Sequence, residues 1–459
     1  MALAQQRRAS ISLAHARSST GRDSPLASAM LQSVSVGPES NEWVKSWAQV
    51  HVRDLIDSRI VAVEAESTVE DACDLLLTED IHCLVVKALP GDPADSFLGL
   101  FDFSDVNAFL TLAATRHTIP PHELKANPRA DQIMSAARSG RVPVHLVSNL
   151  SEKNFLEILP YEATVISLLS VFARGTHRVL IRSPSPSSTY LGMVSDMRLL
   201  SWFSTYADRT PAFQSYLANS LYALSLPSLH MYSSVVATSS TAQVLDAMRL
   251  MSEQGVSSVA VIDEELGTLL SAVSVTDVGK IVVPSQSNHI LSTPVHQFIA
   301  QIKEPDGSTD GIDKYPIYVV FPTSTLSYTI QKLLATASHR LFVTDNDFPL
   351  SSSPSISNLG NGNLCGIVSI VDILSLFARI ANIPDVDPTQ RMRHRRASSA
   401  SSHSSHSGLA RSRSSSRTSM RLSASPRIVA TTVDNRNSIS SLDAFQWSEL
   451  VSPRKEEGK

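Results

Sequence analysis

Gly99-Leu-Phe-Asp-Phe-Ser-Asp105, Gly192-Met-Val-Ser-Asp-Met-Arg198, Ser271-Ala-Val-Ser-Val-Thr-Asp277 and Gly366-Ile-Val-Ser-Ile-Val-Asp372 are four versions of one stretch. Each opens on a short apolar run suited to a buried strand. Each closes on a tetrad, Ser or Asp followed three residues later by Asp or Arg, of the kind that starts a helix. The final positions, Asp105, Arg198, Asp277 and Asp372, lie too far apart for a solenoid, so each copy is a small domain of its own.

Working outward, a strand rich in β-branched residues precedes each stretch, over 81–86, 179–181, 256–262 and 341–344. An amphipathic helix precedes each strand. Val69, Ala72, Cys73 and Leu76 share a helical face in the first copy, as do Val165, Leu168, Leu169 and Phe172 in the second. Val244, Ala247, Met248 and Met251 do so in the third; Leu326, Ile330, Leu333 and Leu334 in the fourth imply a slip of one residue. Ser67 or Thr68, Thr164 and Thr325 are placed to cap these helices. The expected fold is α/β (α+β), four β-α-β-β-α repeats.

Composition agrees with a folded middle and polar ends. The 459 residues are 42% hydrophobic with a net charge of -4, acids mostly central and arginines at the ends. The expected division is a disordered tail over 1–42, repeat 1 over 43–114, a linker insertion and repeat 2 over 115–206, and a linker over 207–228. Repeat 3 follows over 229–284, repeat 4 over 285–384 and a second disordered tail over 385–459. Nine arginines interleave with serines from Arg391 to Arg427. Arg7-Arg-Ala-Ser10 and Arg395-Arg-Ala-Ser398, with Ser399, look like basophilic-kinase substrates. The first 22 residues could also be a mitochondrial presequence, but the similar C-terminal composition favours a tail. Cys73, Cys83 and Cys365 lack metal-ligand spacing, no metal is expected, and a reducing compartment follows. No run spans a bilayer, so no membrane partner is expected. The tail lacks the interleaved aromatics of a single-strand nucleic-acid binder.

An Asp at a helix start can accept from both hydroxyls of a ribose, and adjacent Ser hydroxyls and free helix N–H groups favour phosphate. Ser274 with Asp277, Ser369 with Asp372, and Asp105 are the candidates; Ser-x-x-Asp is equally a capping arrangement. His177-Arg178 and His339-Arg340 are placed to hold phosphate, or to answer a helix dipole at a C-terminus. Arg198 has only donors and cannot serve a ribose. No Walker loop, zinc-protease or nucleophile-elbow motif occurs, so no enzyme and no catalytic residue is expected.

The tetrads, capped helices and fourfold count resemble the CBS repeat, which pairs into two-repeat Bateman modules, and the gamma subunit of AMP-activated protein kinase. In that subunit the last tetrad position is Asp in three repeats and Arg in the second, as here, and His-Arg pairs precede the middle strands of repeats two and four. Leu98-Gly-Leu-Phe-Asp-Phe-Ser-Asp-Val-Asn-Ala-Phe-Leu110, Ala137-Arg-Ser-Gly-Arg-Val-Pro-Val144 and the Ser/Arg tails resemble the fungal "suppressor of dis" CBS family. Asp102 departs from the usual Ser/Thr, Ser271 from glycine, and repeat 4 has an insertion before Gly366.

The resemblance implies two Bateman modules and a non-catalytic protein that inhibits a type 2A-like protein phosphatase in nutrient response, cell cycle and cell separation, in cytoplasm and nucleus. The alternative it implies is an adenine-nucleotide-sensing subunit with kinase partners. No cofactor is required on either reading; AMP, ADP or ATP is the expected regulatory ligand. A ring of modules within one chain and one across a homodimer both remain open.

Overall fold

Thr68 and Thr325 begin their helices as capping residues should, each hydroxyl accepting a backbone N–H three residues on, at 3.0 and 3.2 Å. Thr164 stands at its helix start without such a bond. These residues belong to a computed structural model describing residues 39–89, 91, 97–115, 127–153, 155–184, 190–224, 226, 235–264, 268–285, 289–303, 317–345, 363–384 and 386. Nearly all of both expected tails, with Ser10, Ser398 and Ser399, and nearly all of the insertion before Gly366 lie outside the described residues; of the expected N-terminal tail, residues 40–42 begin a helix.

Helix α1 (Ser40–Trp47) precedes β1 (Ala62–Val63), α2 (Val69–Thr78), β2 (Cys83–Lys87), β3 (Phe97–Asp102) and α3 (Phe103–Thr115). Helices α4 (Pro128–Arg138) and α5 (Val144–Val147) lead to β4 (Glu157–Pro160), α6 (Val165–Phe172), β5 (Arg178–Arg182), β6 (Tyr190–Ser195) and α7 (Asp196–Arg209). After α8 (Pro211–Leu217) come β7 (Ala237–Ser239), α9 (Val244–Gln254), β8 (Ser258–Ile262), β9 (Leu269–Ser274) and α10 (Val275–Ser285). Short helices α11 (His289–Ser292) and α12 (Val295–Lys303) precede β10 (Val319–Val320), α13 (Leu326–Ala335), β11 (Arg340–Asp345), β12 (Asn363–Ser369) and α14 (Ile370–Ile380).

In every unit the first strand pairs parallel with the second, and the second antiparallel with the third. The middle strand is thus central and its apolar run is buried on both faces, as Leu84, Val85 and Val86 show. The expected helix stripes face the core in the first three units. The fourth departs from expectation. There is no slip: Leu326, Thr329, Ile330 and Leu333 repeat the common spacing, and Leu334 is only partly buried. Thr329 reaches the core because its hydroxyl donates to the Thr325 carbonyl at 2.8 Å, which satisfies its one polar group.

Two kinds of packing close the four units into a ring. The sheets of units 1 and 2 meet through Cys83, Val85, Leu100, Leu180 and Met193, and those of units 3 and 4 through Ala260, Leu269 and Phe342. These are the two Bateman modules. Across modules, Phe103, Val106 and Phe109 of unit 1 share a core with Val244, Met248 and Val278 of unit 3. Helix α14 of unit 4 packs on α6 and α7 of unit 2, with Phe203 and Phe377 rings 4.6 Å apart. Asn107 Nδ2 donates to the Met248 carbonyl at 3.1 Å, and Ser375 Oγ to the Ala173 carbonyl at 3.1 Å. The two modules therefore meet within one chain.

The linkers fasten this ring. The first N–H of α2, α6, α9 and α13 donates to the carbonyl of Val142, Val50, Thr293 and Asn219 respectively, at 2.9, 3.0, 3.0 and 3.0 Å. So residues 43–58, grouped with repeat 1 in the sequence reading, bind the second unit. Part of the 116–160 insertion straps the first. Cys73 and Cys83 are buried thiols; burial, opposed by the Arg178 charge, holds Cys83 up at about 12, as in inert structural thiols.

Candidate functional site: a central cavity between the modules

A cavity of about 340 Å³ lies where the units meet, within the size range of small-molecule pockets. Asp102, Phe103 and Ser104 of unit 1 and Ser274 through Asp277 of unit 3 line it; His177 and Arg178 of unit 2 and His339 and Arg340 of unit 4 line the same space. His82 and Ser257 also face it. The two His-Arg pairs stand beyond their helices: α6 ends at Phe172 and α13 at Ala335, while Arg178 and Arg340 open β5 and β11. A helix dipole, which fades within one turn, does not account for them.

The four strand-to-helix corners have different fates. At corner 3, Ser274 N and Oγ donate to Asp277 Oδ2 at 2.8 and 2.7 Å, and Asp277 N donates back to Ser274 Oγ at 3.2 Å. This is a cap, and it occupies one carboxylate oxygen; the half-buried Asp277 still borders the cavity. Corner 4 has the same bonds between Ser369 and Asp372, but Asp372 is 5% exposed and neither residue lines the cavity. Capping describes both corners, and of the two it is corner 3 that borders the central cavity.

Corner 1 is closed from within. Asp102 Oδ1 accepts from Ser104 N at 2.8 Å and Asp105 N at 3.2 Å, taking the helix-start donors that a phosphate would need. Asp105 points away from the cavity, fully buried, accepting from Ser151 N, Asn149 N and Asp102 N at 2.8, 3.2 and 3.3 Å. Burial, reinforced by the Asp102 charge, pushes the Asp105 carboxyl up to about 8. The structure thus removes Asp105 from the ribose-binding candidates. Corner 2 is closed by a distant residue. Ser195 N donates to Asp57 Oδ1 at 3.2 Å and Ser195 Oγ to Asp57 Oδ2, so Asp57 supplies the carboxylate that Arg198 lacks.

Cationic and donor groups crowd the other wall. Arg340 Nη2 donates to Ser257 Oγ at 2.8 Å, while its buried Nε has no protein partner among the described residues. Burial lowers its guanidinium to about 10 against the opposing charge of Asp372, so it remains charged at neutral pH. Burial, and then Arg178, pushes the His82 imidazole down. Behind the histidines lies Asp196, fully buried, its Oδ2 2.7 Å from His177 Nδ1 and 3.6 Å from His339 Nδ1.

Ligand-capable atoms of His177, Asp196 and His339 all lie within 4.8 Å of one another, the kind of set that can hold a cation. Arg178 and Arg340 line the same cavity, however, and two guanidinium charges favour an anion there. Asp57, His82, Asp196 and Ser257 were absent from the sequence-derived set. Asp196 had a visible signal: its counterparts after the first tetrad residue are Phe103, Val275 and Ile370, and it alone is charged.

The CBS domain family matches residues 52–111 and 228–283, the first and third units. Protein sds23 of Aspergillus niger is 31% identical over 312 residues, covering 68% of this chain and 59% of that one. Protein SDS23 of Eremothecium gossypii is 31% identical over 308 residues, covering 65% and 60%. The chain thus spans about three fifths of the length of these relatives. Among solved structures, protein MJ1225 of Methanocaldococcus jannaschii aligns with 72% of this chain and 100% of its own at 15% identity, TM-score 0.49. Among the described residues no helix is long and apolar enough to cross a membrane.

Proposed function

We propose that this chain, which matches the CBS domain family over residues 52–111 and 228–283 and is similar to sds23 proteins over about two thirds of its length, is a non-catalytic regulator whose central cavity binds one phosphate-bearing adenine nucleotide. The observation that carries this is the meeting of Asp277 with His177, Arg178, His339 and Arg340 around one space. Asp277 offers a carboxylate to a ribose diol, and the opposite wall offers donors and positive charge to phosphate. Four corners thus provide one ligand site, because Asp102, Asp57 and the burial of Asp372 close the others. Calorimetry with AMP, ADP and ATP tests it: one site per chain is expected, and no heat at millimolar ligand refutes it.

The protein partner we propose is a type 2A-like phosphatase, inhibited by occupation of its surface in cytoplasm and nucleus. The support is the likeness of residues 98–110 and 137–144, with the Ser/Arg tails, to the fungal CBS family described above. A phosphatase assay at stoichiometric protein tests it, and unchanged activity would remove the inhibitor reading. The second reading, a kinase-associated nucleotide sensor, is favoured by the joining of both His-Arg pairs in one cavity. Affinity purification separates the two: phosphatase catalytic subunits support inhibition, kinase alpha and beta subunits support sensing.

A further inference from the structure

We infer that His177 and Asp196 of the second unit and His339 of the fourth form a binding site for one divalent transition-metal ion of the zinc class, bridging the two modules behind the cavity. This goes beyond the nucleotide reading and does not depend on it. No spacing in the chain announces the set, because its members meet only when units 2 and 4 pack together.

One atom of this group is not accounted for by protein contacts. Asp196, wholly buried at the start of α7, has Oδ1 accepting from Met197 N at 2.8 Å and Oδ2 accepting from His177 Nδ1 at 2.7 Å. Those are ordinary hydrogen bonds, and they explain two of the three side chains. His339 Nδ1 is also shut away from solvent, yet it lies 3.6 Å from Asp196 Oδ2, too far for a hydrogen bond, and has no partner among the described residues. A buried polar atom left unpaired carries the full cost of its desolvation. An ion held jointly with Asp196 and His177 supplies the partner.

The dimensions and the chemistry fit. Zinc bound about 2.0–2.2 Å from nitrogen and oxygen ligands in a tetrahedron sets those atoms roughly 3.3 Å apart. The 3.6 Å spacing of His339 from Asp196 is close to that, the 2.7 Å contact of His177 widens as the ion replaces the shared proton, and the ligand atoms of all three residues already lie within 4.8 Å of one another. Each histidine is fixed at its backbone, the His177 carbonyl accepting from Asp196 N at 3.1 Å and the His339 carbonyl from Ile370 N at 3.0 Å, so side-chain torsions supply the adjustment. The rings already stand edge to face with centroids 5.1 Å apart. Two imidazoles and one carboxylate suit zinc better than magnesium or calcium, which take oxygen ligands, and three protein ligands leave a fourth position for water.

The neighbouring arginines do not forbid a cation here. Arg178 and Arg340 line the cavity together with Asp102 and Asp277, so those formal charges cancel, and Arg340 is turned to Ser257. Asp196 adds a negative charge behind the imidazoles, on the side the ion takes. Because His177 and His339 come from different modules, the ion fixes the spacing of the two His-Arg pairs across the cavity.

The test uses the full chain, cleared of metal by a chelator and titrated with zinc chloride against a chromophoric chelator, without nucleotide. One tight site per chain is expected, with a zinc-dependent rise in melting temperature because the ion binds only the assembled fold. His339→Gln and Asp196→Asn should each weaken it by more than the roughly 10- to 100-fold that follows loss of a residue merely orienting a metal ligand. Should Asp196→Asn fail to fold, His339→Gln carries the test: its Nδ1 makes no hydrogen bond among the described residues, so in chelator it should melt with the parent. Cobalt(II) in place of zinc should give the visible absorption of a tetrahedral site in the parent and not in His339→Gln. His403 and His406 are competing histidines near the C-terminus, and with both changed to alanine the tight site should remain. Absence of stoichiometric zinc, a site unaltered by His339→Gln, or one lost with His403 and His406 overturns the inference and leaves the nucleotide reading standing.

Discussion

Replacing Gly279 with alanine sets two effects of opposite sign against each other. A Cβ built there would lie 2.0 Å from Phe103 Cδ1, 2.5 Å from Cε1 and 2.8 Å from Cγ. Phe103 is 4% exposed, sits in the core shared by units 1 and 3, and borders the central cavity. Helices α3 and α10 would have to separate at their contact. Overpacking of this kind costs about 1–3 kcal/mol, and an overlap this deep against a buried ring belongs at the upper end. Helix propensity works the other way, since alanine in a helix interior is favoured over glycine by about 1 kcal/mol. The expected balance is a loss of about 2 kcal/mol, read as a lower urea midpoint and a lower melting temperature. Because Phe103 also lines the cavity, nucleotide affinity should fall as well. Combining Gly279→Ala with Phe103→Leu should recover most of the loss, because the offending ring is gone. A Gly279→Ala protein that melts at or above the parent temperature, as propensity alone would give, refutes the packing account. So would an undiminished cost in the Phe103→Leu background.

Asp277→Ala should weaken AMP binding by roughly 10- to 100-fold, the loss of one charged hydrogen-bonding partner worth about 1.5–3 kcal/mol, whereas Asp372→Ala should cost stability with little change in affinity by calorimetry. The Asp105 carboxyl is raised to about 8 in the fold. Its contribution is thus fully present below the unfolded carboxyl value near pH ~4 and lost as pH rises through about 8. Urea midpoints across that window should fall less steeply in Asp105→Asn than in the parent. Trp47 is fully buried, its ring 5.0 Å from Phe203 and 5.8 Å from Phe213. Trp47→Ala should cost about 3–5 kcal/mol and expose the α1 amides to hydrogen exchange before the rest of the fold.

The repeat itself was legible because it rests on local physics. Strand runs, helix stripes and capping residues each depend on neighbours a few positions away, and their recurrence in four places made the β-α-β-β-α order readable without coordinates. The one misread stripe, Leu334 for Thr329, came from ranking by hydrophobicity alone. A threonine that returns its hydroxyl to the helix backbone behaves as an apolar residue toward the core.

The site was legible only as a list of residue types. His177, Arg178, His339, Arg340, Ser274 and Asp277 do share one cavity, but Asp105, Ser369 and Asp372 carry the same pattern and do not reach it. Nothing local separates these groups. Which corner opens depends on carboxylates and amides brought in from far along the chain: Asp57 at Ser195, Asn149 and Ser151 at Asp105. The sharing of Asp196 between His177 and His339 likewise exists only once helices of units 2 and 4 pack together. Sequence periodicity determined what each unit is, since its causes lie within one helical turn or one strand. Tertiary packing decided which corner borders the central cavity, because burial and hydrogen-bond occupancy are properties of what surrounds a residue in space.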